Sequence, residues 1–126
     1  MRAPGLIAAF GFALRGLAYA WRTQRNIRIQ FAIAALIAIV GIWLRVGALE
    51  WALLITAMTL VLASELLNTA VEAFVDVVSP QPNPTAGAAK DACAAAVVIA
   101  VVGAMLIGLF VLGPPLLARL RLLLLA

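Results

Sequence analysis

The stretch SELLNTAVEAFVD, residues 64–76, decides how this chain is organised, because it places three acids directly after fourteen almost wholly apolar residues. On an α-helix with about 100° per residue, the three acids and one amide of this stretch share a sector of roughly 80°. These residues, called the polar stripe below, are Glu65, Asn68, Glu72 and Asp76. Because ionised carboxylates are costly in lipid and tend to mark functional sites, the polar stripe is the candidate site.

The composition predicts a membrane protein. The chain has 126 residues, of which 67% are hydrophobic and 11% charged, and its mean hydropathy is +1.18. These values lie outside the range of ordinary water-soluble domains. The length allows one small domain, residues 1–126, whose apolar surface must be covered by lipid and by other subunits.

Charge and rare residues exclude several classes of function. The net charge is +4, but the arginines flank apolar segments and form no dense patch with interleaved aromatics, so no nucleic-acid partner is expected. Cys93 is the single cysteine and there is no histidine. This excludes a disulfide within the chain and catalysis by imidazole, and it leaves a zinc site without ligands.

The N-terminal segment, residues 1–25, predicts an amphipathic helix lying in the membrane interface. Arg15 and Arg22 fall roughly opposite an apolar face, so they would point toward lipid phosphates. That face consists of Leu6, Ile7, Phe10, Leu14, Leu17 and Trp21.

Two membrane spans follow. We expect the first at residues 27–46, with Arg28 and Arg45 at its ends, and the second at residues 49–78. The second exceeds by about ten residues the roughly 20 that cross the hydrocarbon. Glu65 should therefore lie a few turns inside the membrane boundary, Glu72 near it and Asp76 beyond it.

A third span is expected after the connector SPQPNPT, residues 79–85, whose alternate prolines break the helix. We predict that Thr85 caps a helix over residues 86–112, and that Gly113, Pro114 and Pro115 end it. Small residues recur at every fourth position and form a ridge for close helix packing. They are Ala88, Ala92, Ala96, Ala100, Ala104 and Gly108. The tail, residues 113–126, is too short to cross and should form an interfacial helix.

The basic residues predict the orientation of the chain. Arg2, Arg15, Arg22, Arg25, Arg28 and Lys90 lie on one side, and Arg45, Arg119 and Arg121 on the other. By the positive-inside rule the first side is cytoplasmic, which places the exit of the polar stripe there.

Three chemistries compete for the polar stripe. A proton or cation pathway normally needs a relay through several helices, and the first span offers only Gln30. A structural reading makes the stripe a hydrogen-bonded contact between subunits. Phosphoryl transfer fits more of the residues together, because magnesium takes carboxylate and phosphate oxygens and a base must lie near the acceptor hydroxyl.

The spacing of the two glutamates implies two roles in such a transfer. Glu65 and Glu72 are two turns apart, roughly 10 Å, so they cannot easily share one ion. The deeper acid, Glu65, would act on a hydroxyl delivered from lipid, and the shallower acid, Glu72, would act on metal and nucleotide. Lys90 returns to the same level and is a candidate for binding phosphate. The chain contains no Walker A or G-x-G-x-x-G motif for doing so.

The motif E-x-x-N-[ST]-A-x-E-x-x-x-D at residues 65–76, with AKD at 89–91, AAAVVIA after it and RNIRIQ at 25–30, resembles the small bacterial membrane lipid kinases. These are the diacylglycerol kinase and undecaprenol kinase family, and the similarity covers about residues 8–112. It implies an all-α homotrimer whose three-span subunits each carry a surface helix and phosphorylate a lipid alcohol with magnesium and ATP.

The resemblance also implies roles for individual residues. Glu65 would be the general base, oriented by Asn68, and Glu72 a metal ligand. Nucleotide would be bound by Asp76, Asn83, Lys90 and Asp91, and we expect Trp21 and Arg28 beside the lipid.

The chain departs from the family at two of these sites. Gln24 stands where the family usually has a second metal-binding glutamate, and Asn83 where a histidine is common. The NTA motif and RNIRIQ resemble the undecaprenol kinase branch of the family more than the diacylglycerol kinase branch, which implies undecaprenol as the acceptor. The remaining alternative is a family member with weak activity.

Overall fold

The computed structural model describes residues 5–125 and contains four helices in that range. They are α1 (Leu6–Thr23), α2 (Arg25–Leu44), α3 (Ala48–Val78) and α4 (Pro84–Leu124). The last three are long and apolar enough to cross a membrane. This confirms the all-α membrane architecture with three spans. Residues 1–4 of the predicted N-terminal helix and residue 126 of the tail lie outside the described part.

The first span begins and ends two residues earlier than predicted. Arg45 takes up the left-handed conformation, with φ 56° and ψ 45°, and the N–H of Val46 then bonds back to the carbonyl oxygen of Gly41 at 3.2 Å. A left-handed residue with such a bond is a common end for a helix, because it satisfies the last free carbonyls. The turn to α3 therefore occupies residues 45–47.

Helix α3 is the central element of the fold. Its 31 residues give a length of about 46 Å, well beyond the hydrocarbon thickness, as expected. Its packing against α4 is the most extensive in the structure. The buried side chains recur every three or four residues along one face, first apolar and then polar. They are Leu54, Ala57, Val61, Glu65, Asn68 and Thr69.

Helix α4 begins at Pro84, two residues before the predicted start. The prediction that Thr85 caps it is wrong. Asn83 is the cap, and its Oδ1 accepts hydrogen bonds from the N–H groups of Thr85 (2.9 Å) and Ala86 (3.3 Å). Asparagine is preferred at this position and proline at the next, because proline has no N–H that needs a partner there.

The predicted end of the third span at residue 112 is also wrong. Helix α4 runs through Pro114 and Pro115 to Leu124, so no separate tail helix forms within the described residues. Prolines are tolerated in membrane helices because neighbouring elements compensate for the missing backbone bonds. Here the segment after the prolines packs back on α2, with the Arg119 guanidinium 5.6 Å from the centre of the Trp43 ring.

Helix α1 contacts the rest of the chain mainly through its C-terminal half. Ala20 is buried there, and the Trp21 and Phe31 rings meet edge to face at 5.6 Å. Gln24, in an extended conformation, separates α1 from α2. The apolar side chains of the first turns, such as Leu6 and Ile7, are exposed. The placement of α1 in the interface stays a prediction.

Candidate active site

Polar side chains are buried at one level of α3. Glu65 is 2% exposed, Thr69 4% and Asn68 9%. They follow Leu54, Ala57 and Val61 on the same face, so the spacing that buries the apolar residues also buries the polar ones. Buried polar groups require hydrogen-bond partners, and those of Glu65 and Asn68 identify the site.

Glu65 is held by a residue of the first span. Its Oε2 accepts a hydrogen bond from Nε2 of Gln30 at 3.1 Å. Its backbone carbonyl accepts a second bond from the Thr69 hydroxyl at 2.9 Å. Gln30 was absent from the predicted site, although it is the one residue of the first span that the sequence marks as a polar partner.

Glu72, one turn beyond Asn68, has an amide donor on each carboxylate oxygen. Nδ2 of Asn68 donates to Oε1 at 3.0 Å, and Nε2 of Gln24 donates to Oε2 at 3.3 Å. The amide that was expected to orient Glu65 thus bonds Glu72 in this structure. Glu65 and Glu72 are both helical neighbours of Asn68, three residues before it and four residues after it, and Glu65 takes its amide donor from Gln30 instead.

Asp76 and Lys90 join the exposed ends of α3 and α4. Nζ of Lys90 donates to Oδ1 of Asp76, and the two side chains are 35% and 67% exposed respectively. Such an exposed ion pair contributes little to stability, so it can be rearranged by a ligand. The pair lines an open surface cavity of 660 Å³ together with the connector and Asn83.

The remaining predicted residues lie apart from these contacts. Asp91 and Arg28 are exposed, and neither side chain has a hydrogen bond within residues 5–125. Trp21 lines a surface cavity of 440 Å³ with Leu14, Leu17 and Phe31. The structure thus brings together Gln24, Asn68 and Glu72, and separately Asp76, Asn83 and Lys90.

An apolar cavity of 330 Å³ lies between the three spans. Ile33 and Ile37 of α2, Val61 of α3, and Ala104 and Gly108 of α4 contribute to its wall. Gln30 is the polar residue in the lining. The cavity therefore leads to the amide that bonds Glu65.

Two amide oxygens near the carboxylates have no partner. Oε1 of Gln30 and Oδ1 of Asn68 are buried and unbonded within the described residues. Residues 5–125 contain no cluster of three or more His, Cys, Asp or Glu side chains suited to a metal. The oxygen donors of Glu72, Gln24 and Asn68 nonetheless suit a hard cation such as Mg²⁺, which takes carboxylate and amide oxygens.

Three helices long and apolar enough to span a membrane, a carboxylate buried beside an apolar cavity and an exposed Asp–Lys pair define an integral-membrane protein with a polar site between its helices. The chain belongs to the prokaryotic diacylglycerol kinase family, whose model matches residues 11–112. The predicted family is therefore confirmed, and the protein is a lipid kinase.

The names of similar proteins refer to two different lipid acceptors. The diacylglycerol kinase of Synechocystis sp. is 38% identical over 117 residues, which is 92% of this chain and 67% of that protein. The diacylglycerol kinase of Escherichia coli is 36% identical over 101 residues, 80% and 83% of the two chains. The undecaprenol kinase of Bacillus subtilis is 36% identical over 108 residues, 86% and 88% of the two chains.

Proposed function

We propose that this chain transfers the γ-phosphate of ATP, with Mg²⁺, to the hydroxyl of undecaprenol. The observation that carries this proposal is the position of Glu65, buried at the inner end of the polar stripe and bonded to the polar residue of an apolar cavity. A carboxylate bonded to a residue that lines an apolar cavity suits a hydroxyl on a long hydrocarbon chain. Family membership favours this kinase over an ion pathway or a purely structural stripe.

Glu65 is the proposed general base. It takes the proton of the lipid hydroxyl while that oxygen forms its bond to the γ-phosphorus, and the bond to the bridging oxygen of ADP breaks. General bases need reach to the proton they accept. Gln30 supports this role because its Nε2 fixes Glu65 and its unbonded Oε1 is free to accept a hydrogen bond.

The nucleotide would enter where α3 leaves the membrane, about 16 Å along the stripe from Glu65, and its triphosphate would extend back past Glu72 so that the γ-phosphorus reaches the hydroxyl at Glu65. Lys90 exchanges Asp76 for phosphate oxygens, and Asn83 and Asp91 contribute to the same surface. Glu72 would hold the metal, with the amide oxygens of Gln24 and Asn68 as further ligands. When bound, the metal neutralises phosphate charge. Trp21 and Arg28 contact the lipid near its hydroxyl end.

The assembly and location are part of the proposal. We place the enzyme in the bacterial inner membrane as a homotrimer, with α1 in the interface and the Asp76–Lys90 end on the cytoplasmic side. The excess of basic residues on that side supports the orientation. Exposed apolar side chains on all three spans, such as Leu36, Leu60 and Phe110, support burial against lipid and other subunits.

Diacylglycerol is the second candidate acceptor. It is favoured by the names of the Synechocystis and Escherichia coli relatives, while the NTA and RNIRIQ motifs and the Bacillus subtilis relative favour undecaprenol. Both lipids present a hydroxyl on an apolar body, so the same base serves either one.

The test is transfer of labelled γ-phosphate by purified protein in detergent, with undecaprenol and diacylglycerol offered side by side. Glu65→Gln should reduce labelling at least 100-fold, since general base catalysis contributes about 10²–10⁴. Glu50→Gln is the matched control, because this acid lies at the opposite end of α3. Preferential labelling of diacylglycerol would reverse the acceptor, and labelling unaffected by Glu65→Gln would refute the assigned base.

A further inference from the structure

The environment of Glu72 differs from that of the other acids in the polar stripe. Its two oxygens are each occupied by a neutral amide, Gln24 from the α1–α2 junction and Asn68 from one turn earlier on α3. Glu65 has one amide donor, and Asp76 is paired with a cation. Both carboxylate oxygens of Glu72 thus already accept hydrogen bonds, and neither donor carries a positive charge.

No cationic side chain shares this arrangement within the described residues. The salt bridge found there joins Lys90 to Asp76, so Lys90 is engaged elsewhere. The half-buried Glu72 carboxylate is instead stabilised by N–H groups, which are strong partners for an ionised acceptor. In this form the site needs no metal ion to be stable.

The same amides are able to serve as metal ligands. A primary amide presents two N–H donors on one side and a carbonyl oxygen on the other, and a half turn about its terminal bond exchanges them. Oδ1 of Asn68 is buried and has no hydrogen-bond partner among residues 5–125. Turning both amides would place two neutral oxygens beside the Glu72 carboxylate, so that the three groups could bind one ion. It would also break both present hydrogen bonds.

Such a set carries only one negative charge. Mg²⁺ keeps much of its water and is generally held by one or two carboxylates together with substrate phosphates. A cation must therefore compete with the two amide donors for the single carboxylate of Glu72. Phosphate oxygens would supply the negative charge that Gln24 and Asn68 do not.

We propose that Gln24 and Asn68 form an amide latch on Glu72, which stays closed toward free divalent cations and opens only to a cation that arrives with nucleotide phosphates. The inference rests on the proposed function and adds the order of binding. It assigns Gln24 as the residue that prevents the metal from binding first. A carboxylate at position 24 would remove that restriction.

Binding of Mn²⁺, a paramagnetic substitute for Mg²⁺, tests the latch without any phosphoryl transfer. Purified protein in detergent is titrated with Mn²⁺, and the free ion is followed by electron paramagnetic resonance. Because the β,γ-imido analogue of ATP itself binds Mn²⁺, each titration is compared with the same analogue without protein. The wild type should show saturable binding that depends on the protein only when the analogue is present. Gln24→Glu should bind Mn²⁺ without the analogue, at least tenfold more tightly than the wild type.

Asn26→Asp is the matched control. It makes the same amide-to-carboxylate change two residues away, at an exposed position in the first turn of α2. It should leave Mn²⁺ binding within about twofold of the wild type, as expected for an exposed charge screened by solvent. Equal tightening in both variants would overturn the proposal, because it would trace the effect to general charge.

The wild-type titration alone is also decisive if Gln24→Glu does not fold. Saturable Mn²⁺ binding without nucleotide, as tight as with the analogue, would overturn the latch. The comparison of variants without nucleotide requires neither lipid nor transfer. A protein that labels no lipid but shows the Gln24→Glu effect would therefore refute the proposed kinase reaction and retain the latch.

Discussion

Gln30 is the residue that connects the buried carboxylate to the rest of the molecule. Glu65 is almost completely removed from solvent, and its side-chain partner is the Gln30 amide. A hydrogen bond to a charged group contributes about 1.5–3 kcal/mol, more than a bond between neutral groups. Replacing Gln30 should therefore affect the reactivity of Glu65 even though Gln30 does not itself exchange a proton.

Gln30→Leu should lower kcat with the lipid acceptor about 10- to 100-fold, the equivalent of one charge-assisted hydrogen bond. The KM for ATP should remain unchanged, because the proposed nucleotide surface lies about 16 Å away along α3. Steady-state kinetics at varied ATP and varied lipid separate these effects.

Thr56→Val is a suitable control for Gln30→Leu. It also replaces a polar side chain in a span, but this hydroxyl bonds its own helix at Ala52 on an exposed face. It should retain wild-type kinetics. A Gln30→Leu enzyme with normal kcat, or one that loses ATP affinity instead, would contradict the positioning role.

At the scale of helices, α2 and α3 are in tight contact near their shared turn. A Cβ atom added to Gly41 would lie 2.9 Å from the end of the Trp51 ring, whereas one added to Gly108 of α4 would meet nothing within 4 Å. The tight packing against Trp51 therefore requires glycine at position 41. Gly108 instead lines the apolar cavity.

Gly41→Ala should destabilise the protein relative to Gly108→Ala by about 1–3 kcal/mol, the usual effect of overpacking a tight contact. Both changes gain the same intrinsic helix propensity, so their difference isolates the clash with Trp51. Thermal unfolding in detergent, followed by circular dichroism, measures it. Equal transition temperatures for the two variants would show that the Trp51 ring moves aside without cost.

Helix α4 departs from a local sequence signal. Two successive prolines predict the end of a helix, because they remove N–H donors and crowd the preceding turn. The helix continues to Leu124 nonetheless, and Arg119 packs over Trp43 beyond the prolines. The two prolines therefore do not end α4, although they remove backbone N–H donors.

For the whole molecule, one chain leaves most of its apolar surface uncovered. Ala88, Ala92 and Ala96, the first half of the small-residue ridge on α4, are exposed, while Ala100 and Gly108 further along are half-buried. Close packing of small residues is a usual basis for association of membrane helices. The exposed half of the ridge is therefore the expected contact with another subunit.

The protein in detergent should have three times the chain mass of 13.2 kDa, as measured by light scattering after size-exclusion chromatography. Ala96→Leu should shift this mass toward the monomer, because it fills the ridge at its exposed part. Ala95→Leu makes the same change at an exposed position beside the ridge and should preserve the trimer. A monomeric wild type would refute the trimer, and identical behaviour of the two variants would refute the ridge as its contact.

The sequence by itself determined the class of the protein, its three spans and the polar stripe. Each of these follows from local regularities, namely apolar runs long enough to cross lipid and acids repeated at helical spacing. Glu65, Asn68 and Glu72 were recognised in this way as one face of α3. The motif at residues 65–76, together with AKD at 89–91, AAAVVIA after it and RNIRIQ at 25–30, also predicted the family that residues 11–112 match.

Only the tertiary structure decided which partner each polar group takes. Gln30 bonds Glu65, Asn68 turns to Glu72, and Asn83 caps α4. The first of these contacts joins residues 35 apart in the chain, and that of Gln24 with Glu72 joins residues 48 apart. Helical periodicity specifies the face on which a side chain lies, whereas its partner depends on which other helix is packed there and at what height.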